Sequence, residues 1–225
     1  TKRLIFHPLM LPRQVILDPA LTVGLPPAIT AATGMDALSH NLEAFCARSF
    51  HPMADGIALE GMRLVKEWLP RAVADGADLD ARMHMLVAST MGATAFQKGL
   101  GAMHALAHPL GALYDAHHGL LNAILMPYVL VANRGMLAEK LGRAAAYLDL
   151  EAASFDAFLD WVLALRKRVG IPASLADIGI DDSQQARVGE MAVQDPSASG
   201  NPLPFGEEEY AALFARAVTG TLSAL

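Results

Sequence analysis

The chain has 225 residues, 53% of them hydrophobic, with a formal net charge of −6 and a single cysteine. That length is enough for one large domain with a substantial core. An acidic balance without a basic face argues against nucleic acid as a partner, and the lone Cys46 excludes an internal disulfide framework and fits a reducing cytoplasm. Mean hydropathy is positive, yet no run of about 18 apolar residues is free of charge, so no membrane span is expected. The apolar excess instead fits a buried helical core, or a face that meets another domain or a second copy in a homo-oligomer such as a dimer. No signal peptide is visible, and the expected location is cytoplasmic.

Arg3-Leu4-Ile5-Phe6 and Val15-Ile16-Leu17 are short β-branched or aromatic runs separated by Pro8 and Pro12. They read as strands or extended ribbon. Two strands do not make a stable sheet, so they would pack on helices or belong to a sheet formed elsewhere. Pro26-Pro27 then starts a helix running to about Ala47. Gly34 within it either lets a neighbour approach closely or divides the helix in two. Pro52 opens an amphipathic helix to about Ala74, with Ile57, Leu59, Met62, Leu64, Val65 and Leu69 apolar and Glu60, Arg63 and Lys66 polar.

Asp78 or Asp80 caps a helix to about Gln97, whose small and apolar middle reads as buried all round. Gly99 and Gly101 break the chain. A helix from His104 to about Tyr114 follows, with a kink expected at Pro109. Leu120 to Val131 is apolar except for Asn122, which must find a partner. Met136–Leu148, Phe155–Val169, Asp182–Ala192 and Glu207–Val218 read as ordinary amphipathic helices. The fold class is therefore mainly α, a helical bundle with one or two short N-terminal strands.

Two clusters carry chemistry. Asp36 and His40 stand four apart, which places both on one helix face. His104 and His108 repeat that spacing, and His117-His118 follow nine and ten residues on. Burying such groups in apolar helices costs several kcal/mol unless they are paired, and a shared cation removes the cost. Carboxylate plus imidazole is the ligand set of a divalent metal such as Fe²⁺ or Zn²⁺. Spacing does not choose between His104 and His108. Lys98 adjoins this segment and either meets an anionic group or serves as a helix C-terminal cation. Cys46 reads as a small buried apolar group. There is no dinucleotide glycine fingerprint, no P-loop, no nucleophile elbow and no His-Glu-x-x-His.

Ala31-Ala32-Thr33-Gly34-Met35-Asp36-Ala37-Leu38-Ser39-His40-Asn41-Leu42-Glu43-Ala44 resembles the first signature of the iron-containing (group III) alcohol dehydrogenase family. Gly99 to Gly111 with His118-Gly119 and Asn122-Ala123 resembles its second, and Asn201-Pro202 its end, although the Arg that often follows that pair is Leu203 here. The resemblance implies a dehydroquinate synthase-like C-terminal helical domain over residues 21–225, with residues 1–20 the tail of an N-terminal α/β nucleotide-binding domain. It implies Asp36, His40, His104 and His118 as metal ligands, and His108 beside nicotinamide and substrate. Lys98 is carried as a candidate cofactor contact. The implied activity is interconversion of a small alcohol and aldehyde with NAD or NADP, the metal acting as a Lewis acid. A glycerol dehydrogenase-like polyol enzyme shares this architecture, and a metal-binding helical module without turnover is the reading from another class.

Overall fold

A computed structural model describes residues 7–223. Nine α-helices account for most of them: α1 Pro27–Cys46, α2 Pro52–Ala74, α3 Leu79–Ala95, α4 Ala102–Tyr114, α5 His118–Ala132, α6 Arg134–Tyr147, α7 Phe155–Arg168, α8 Gln185–Val193 and α9 Glu207–Thr219. Among the described residues there is no strand. The expected run at Val15–Leu17 is exposed coil, with Ile16 80% exposed. A strand needs a partner for its backbone N–H and C=O groups, and among the described residues none pairs with this run. Arg3–Phe6 lies outside the described residues.

The helices begin where side chains satisfy their first free N–H groups. Asp78 Oδ1 accepts from Ala81 N at 2.9 Å at the head of α3, and Ser154 Oγ accepts from Ala157 N at 3.1 Å at the head of α7. His51 and His117 do the same for α2 and α5 through Nδ1. Proline sits in the first turn of α1 and α2, where a missing N–H costs nothing. Pro109 does not end α4, which continues to Tyr114.

α1 is the axis of the bundle and packs against α2, α3 and α5. Glycines set the spacing. A Cβ on Gly34 would lie 2.2 Å from Leu69 Cδ1, so this residue permits close approach of α2 and does not split α1. Gly61 and Gly92 bring α2 and α3 against Asn41, whose Nδ2 donates to Ala37 O and to Ala88 O across to α3. The sequence expectation for α3 needs correction. Ala81, Arg82, Ala88, Gly92 and Ala95 are buried, but Ser89, Thr90, Ala93 and Thr94 are exposed. Small residues made both faces look apolar, whereas only one faces α1 and α2.

α5 is buried almost throughout, with Leu121 to Leu130 all in the core. α4 packs on α5 and on α8, and α8 packs on α9. The start of α4 is held by Asn201 Oδ1, which accepts from Ala102 N at 3.2 Å and from Asn133 Nδ2 at 3.2 Å. Asn201, from the pair that resembles the family's end, thus fixes the start of the helix that carries His104 and His108. No single helix among the described residues is long and apolar enough to cross a membrane.

Candidate metal centre

Three helices supply the site. α1 presents Asp36, His40 and Glu43, spaced four and then three apart and hence along one face. α4 presents His104 and His108, and α5 presents His118 and, one turn on, Asn122. One donor atom each from Asp36, His104 and His118 falls within a group whose members all lie within 4.8 Å of one another. Asp36 Oδ1 is 3.8 Å from His118 Nε2. His40 adjoins this trio: its Nε2 is 4.0 Å from Asp36 Oδ2 and its ring stacks on that of His104, with centroids 4.9 Å apart.

His104 is 2% exposed and its orientation is determined by α1. Its Nδ1 lies 2.7 Å from Glu43 Oε2. A carboxylate only accepts, so Nδ1 carries the proton and Nε2 turns a lone pair toward Asp36 and His118. Glu43 also accepts from Gly101 N at 2.9 Å and Met103 N at 2.7 Å, so the same buried carboxylate caps α4. Gly119 lets the helices meet here, since a Cβ on it would stand 2.6 Å from Ala32 O and 3.1 Å from Asp36 Cβ.

Burial raises the affinity of Asp36 for a proton, but His40, the hydrogen bond from Asn122, His118 and His104 outweigh it and hold the carboxyl below its ordinary range. Burial pushes His40 down, and the charge of Asp36 only partly restores it. Both shifts favour an ionised carboxylate beside a neutral imidazole, which are the protonation states a cation requires.

His108 does not join the trio. Its Nδ1 lies 2.8 Å from Asp195 Oδ2, and its ring is parallel to that of His118, with centroids 5.4 Å apart. Asp195 is held below the ordinary carboxylate range because the bonds from His108 and Ser197 N outweigh the upward push of burial. A cavity of about 250 Å³ opens beside His108, lined by Pro109, Arg187, Met191, Gln194 and Asp195. Lys98, the candidate cofactor contact, meets an anionic group within the chain. Its side chain is fully buried, its ammonium pairs with Asp55 at 2.5 Å, and it donates to Phe45 O at 3.1 Å.

Glu43 and Asp195 were missed by reading motifs for metal ligands. Glu43 could have been found, because it lies seven residues after Asp36 on the same helical face. Asp195 could not, since its partner His108 is 87 residues away.

The fold and these side chains define a class: an all-helical domain with a carboxylate and imidazoles from separate helices gathered in its interior. The sequence profile of the Fe-containing alcohol dehydrogenase family, C-terminal, matches residues 30–218, and the chain belongs to that family. It is 40% identical over 216 residues to 1,3-propanediol dehydrogenase of Klebsiella pneumoniae, covering 92% of this chain and 55% of the relative. It is 40% identical over 210 residues to 4-hydroxybutyrate dehydrogenase of Cupriavidus necator, covering 89% of this chain and 54% of that one. The solved structure of a 1,3-propanediol oxidoreductase superposes with a TM-score of 0.85 at 38% identity, over 89% of this chain and 54% of that one. The iron-containing alcohol dehydrogenase from Thermococcus thioreducens superposes with a TM-score of 0.88 at 29% identity, over 96% and 57%. The chain spans about half the length of the curated relatives it matches.

The residues fit a divalent cation on their own chemistry. One carboxylate and two imidazoles converge, and the tautomer of His104 is set by a carboxylate behind it, the usual support of a metal-bound imidazole.

Proposed function

We propose that this chain is the metal-binding part of an NAD(P)-linked alcohol dehydrogenase or aldehyde reductase. The observation that carries this reading is the convergence of Asp36, His104 and His118 from three helices in a member of this family. Those three side chains, joined by His40 at the edge, hold Fe²⁺ or Zn²⁺. When bound, the cation supplies Lewis-acid polarisation of a substrate oxygen.

The chain's own residues do the rest of the local work. Asp36 brings negative charge and the histidines bring neutral nitrogens. Asp195 fixes His108 through Nδ1, leaving Nε2 to exchange a proton with substrate. The cavity beside His108 accommodates a small substrate or part of the nicotinamide. Hydride transfer itself belongs to the cofactor, and its phosphates are held by a separate α/β domain. Relatives described as 1,3-propanediol and 4-hydroxybutyrate dehydrogenases support a short alcohol or aldehyde as substrate. A cytoplasmic homo-oligomer completes the proposal.

The test is metal analysis of the purified natural polypeptide, followed by assay of an aldehyde panel with NADH and with NADPH. Stoichiometric Fe or Zn and metal-dependent oxidation of one nucleotide are expected. Metal-free protein that turns over aldehydes at full rate would overturn the reading.

A further inference from the structure

Asn122 is fully buried on α5, one turn past His118. Its Nδ2 lies 2.7 Å from Asp36 Oδ1, 3.2 Å from His104 Nε2 and 3.2 Å from His118 Nε2. These are the same three side chains whose donor atoms cluster. A primary amide has two N–H bonds, and here three acceptors surround them. His104 must accept at Nε2, because its Nδ1–H is given to Glu43.

The other end of the amide is buried too, and Asn122 Oδ1 has no hydrogen-bond partner among the described residues. Turning the amide over would not help. It would set Oδ1 against the Asp36 carboxylate and the imidazole lone pairs. An asparagine placed only to fill the core would satisfy both ends. This one leaves its oxygen without a donor and puts its nitrogen among the donor atoms of the metal centre. The three contacts are hydrogen-bond distances, well beyond the roughly 2.0–2.2 Å of a metal–ligand bond.

We propose that Asn122 is a positioning residue of the metal centre, whose amide nitrogen gathers Asp36, His104 and His118 before a cation arrives. His104 and His118 would hold a cation through imidazole nitrogens that the amide engages here, and Asp36 keeps a second oxygen besides the one Asn122 bonds. Asn122 therefore sets how closely the ligand atoms are pre-assembled, and with that the affinity for metal. This rests on the metal-binding reading above.

Asn122→Leu keeps the branched outline of the side chain and removes both N–H groups. On the purified protein, with Co²⁺ as probe, its dissociation constant is expected to rise roughly 10–100-fold. The visible Co²⁺ absorption bands, which report ligand geometry, are expected to move, with far-ultraviolet circular dichroism unchanged. A smaller change, Asn122→Ser, is read in the same way. The unaltered protein gives an independent reading: the two side-chain amide proton resonances of Asn122 should shift stoichiometrically with added Zn²⁺. Wild-type Co²⁺ affinity and spectrum in the folded variants, or amide resonances indifferent to Zn²⁺, overturn the inference while leaving the metal site intact. Unaltered protein that binds neither ion overturns both this inference and the metal reading beneath it.

Discussion

Glu43 Oε2 lies 2.7 Å from His104 Nδ1, with both residues buried and on different helices. This one contact selects the tautomer of His104 and, through the N–H groups of Gly101 and Met103, fixes where α4 begins. Glu43→Gln keeps the size and one acceptor oxygen but loses the charge. It should weaken metal binding by roughly 10–100-fold, the usual cost of losing a carboxylate behind a ligating histidine. Chelator competition with Co²⁺ or Zn²⁺ measures it. Unchanged affinity in a folded variant would show that Glu43 caps α4 and does nothing for the metal.

His104 and His108 are four residues apart on one helix, yet they make different contacts. His104→Ala should abolish stoichiometric metal retention. His108→Ala should keep the metal while turnover falls by roughly 10²–10⁴-fold, the range of a positioned acid–base group. Elemental analysis beside steady-state kinetics separates the two. Loss of metal in the His108 variant would move that residue into the coordination shell.

The contrast also marks how far sequence reasoning reached. Helical spacing put Asp36 with His40, and the apolar runs placed the core helices close to where they are. Spacing could not choose between His104 and His108, because both lie on the face of α4 turned inward. Only the partners Glu43 and Asp195, distant in the chain, distinguish them. The exposed face of α3 was illegible because Ala, Ser and Thr suit a packed or an open surface alike. Lys98 read either as meeting an anionic group or as a helix C-terminal cation, and its pairing with Asp55 depends on a residue 43 positions earlier.

Cys46 is 8% exposed, and burial pushes its thiol up to about 12. Only the thiolate reacts with alkylating reagents. At pH 8 iodoacetamide should modify the folded protein roughly a hundredfold or more slowly than the protein in denaturant, as read by mass spectrometry. Equal rates would mean that the α1–α2 corner opens readily.

Gly119 follows His118 where α5 crosses α1. Gly119→Ala would place a methyl 2.6 Å from Ala32 O and 3.1 Å from Asp36 Cβ. Backbone cannot rotate away as a side-chain end can, so the helices must separate. The expected cost is about 1–3 kcal/mol of stability, with weaker metal binding alongside because Asp36 and His118 move apart together. Denaturant unfolding and chelator competition on one sample read both. A variant less stable but with normal metal affinity would show that the ligands adjust independently of the helix spacing.

Asp78 gives the sign of a pH effect. Its carboxylate accepts from Ala81 N at the head of α3 and pairs with Arg71 at 2.8 Å, and these contacts, the backbone bond foremost, hold its pKa below the ordinary value. A carboxyl whose folded pKa is lowered stabilises the fold at pH values above its unfolded pKa, and that stability disappears as pH falls through the folded pKa. Asp78→Ala should therefore melt below the unaltered protein at pH 7, and the gap should narrow as pH drops through and below the carboxylate range. Asp78→Asn keeps a cap oxygen and loses the charge, so it should recover part of the difference at pH 7 and be less sensitive to pH. Melting temperatures of the three proteins between pH 3 and pH 7 provide the measurement. A gap that stays constant over that range would assign the whole effect to shape and none to the ionised carboxylate.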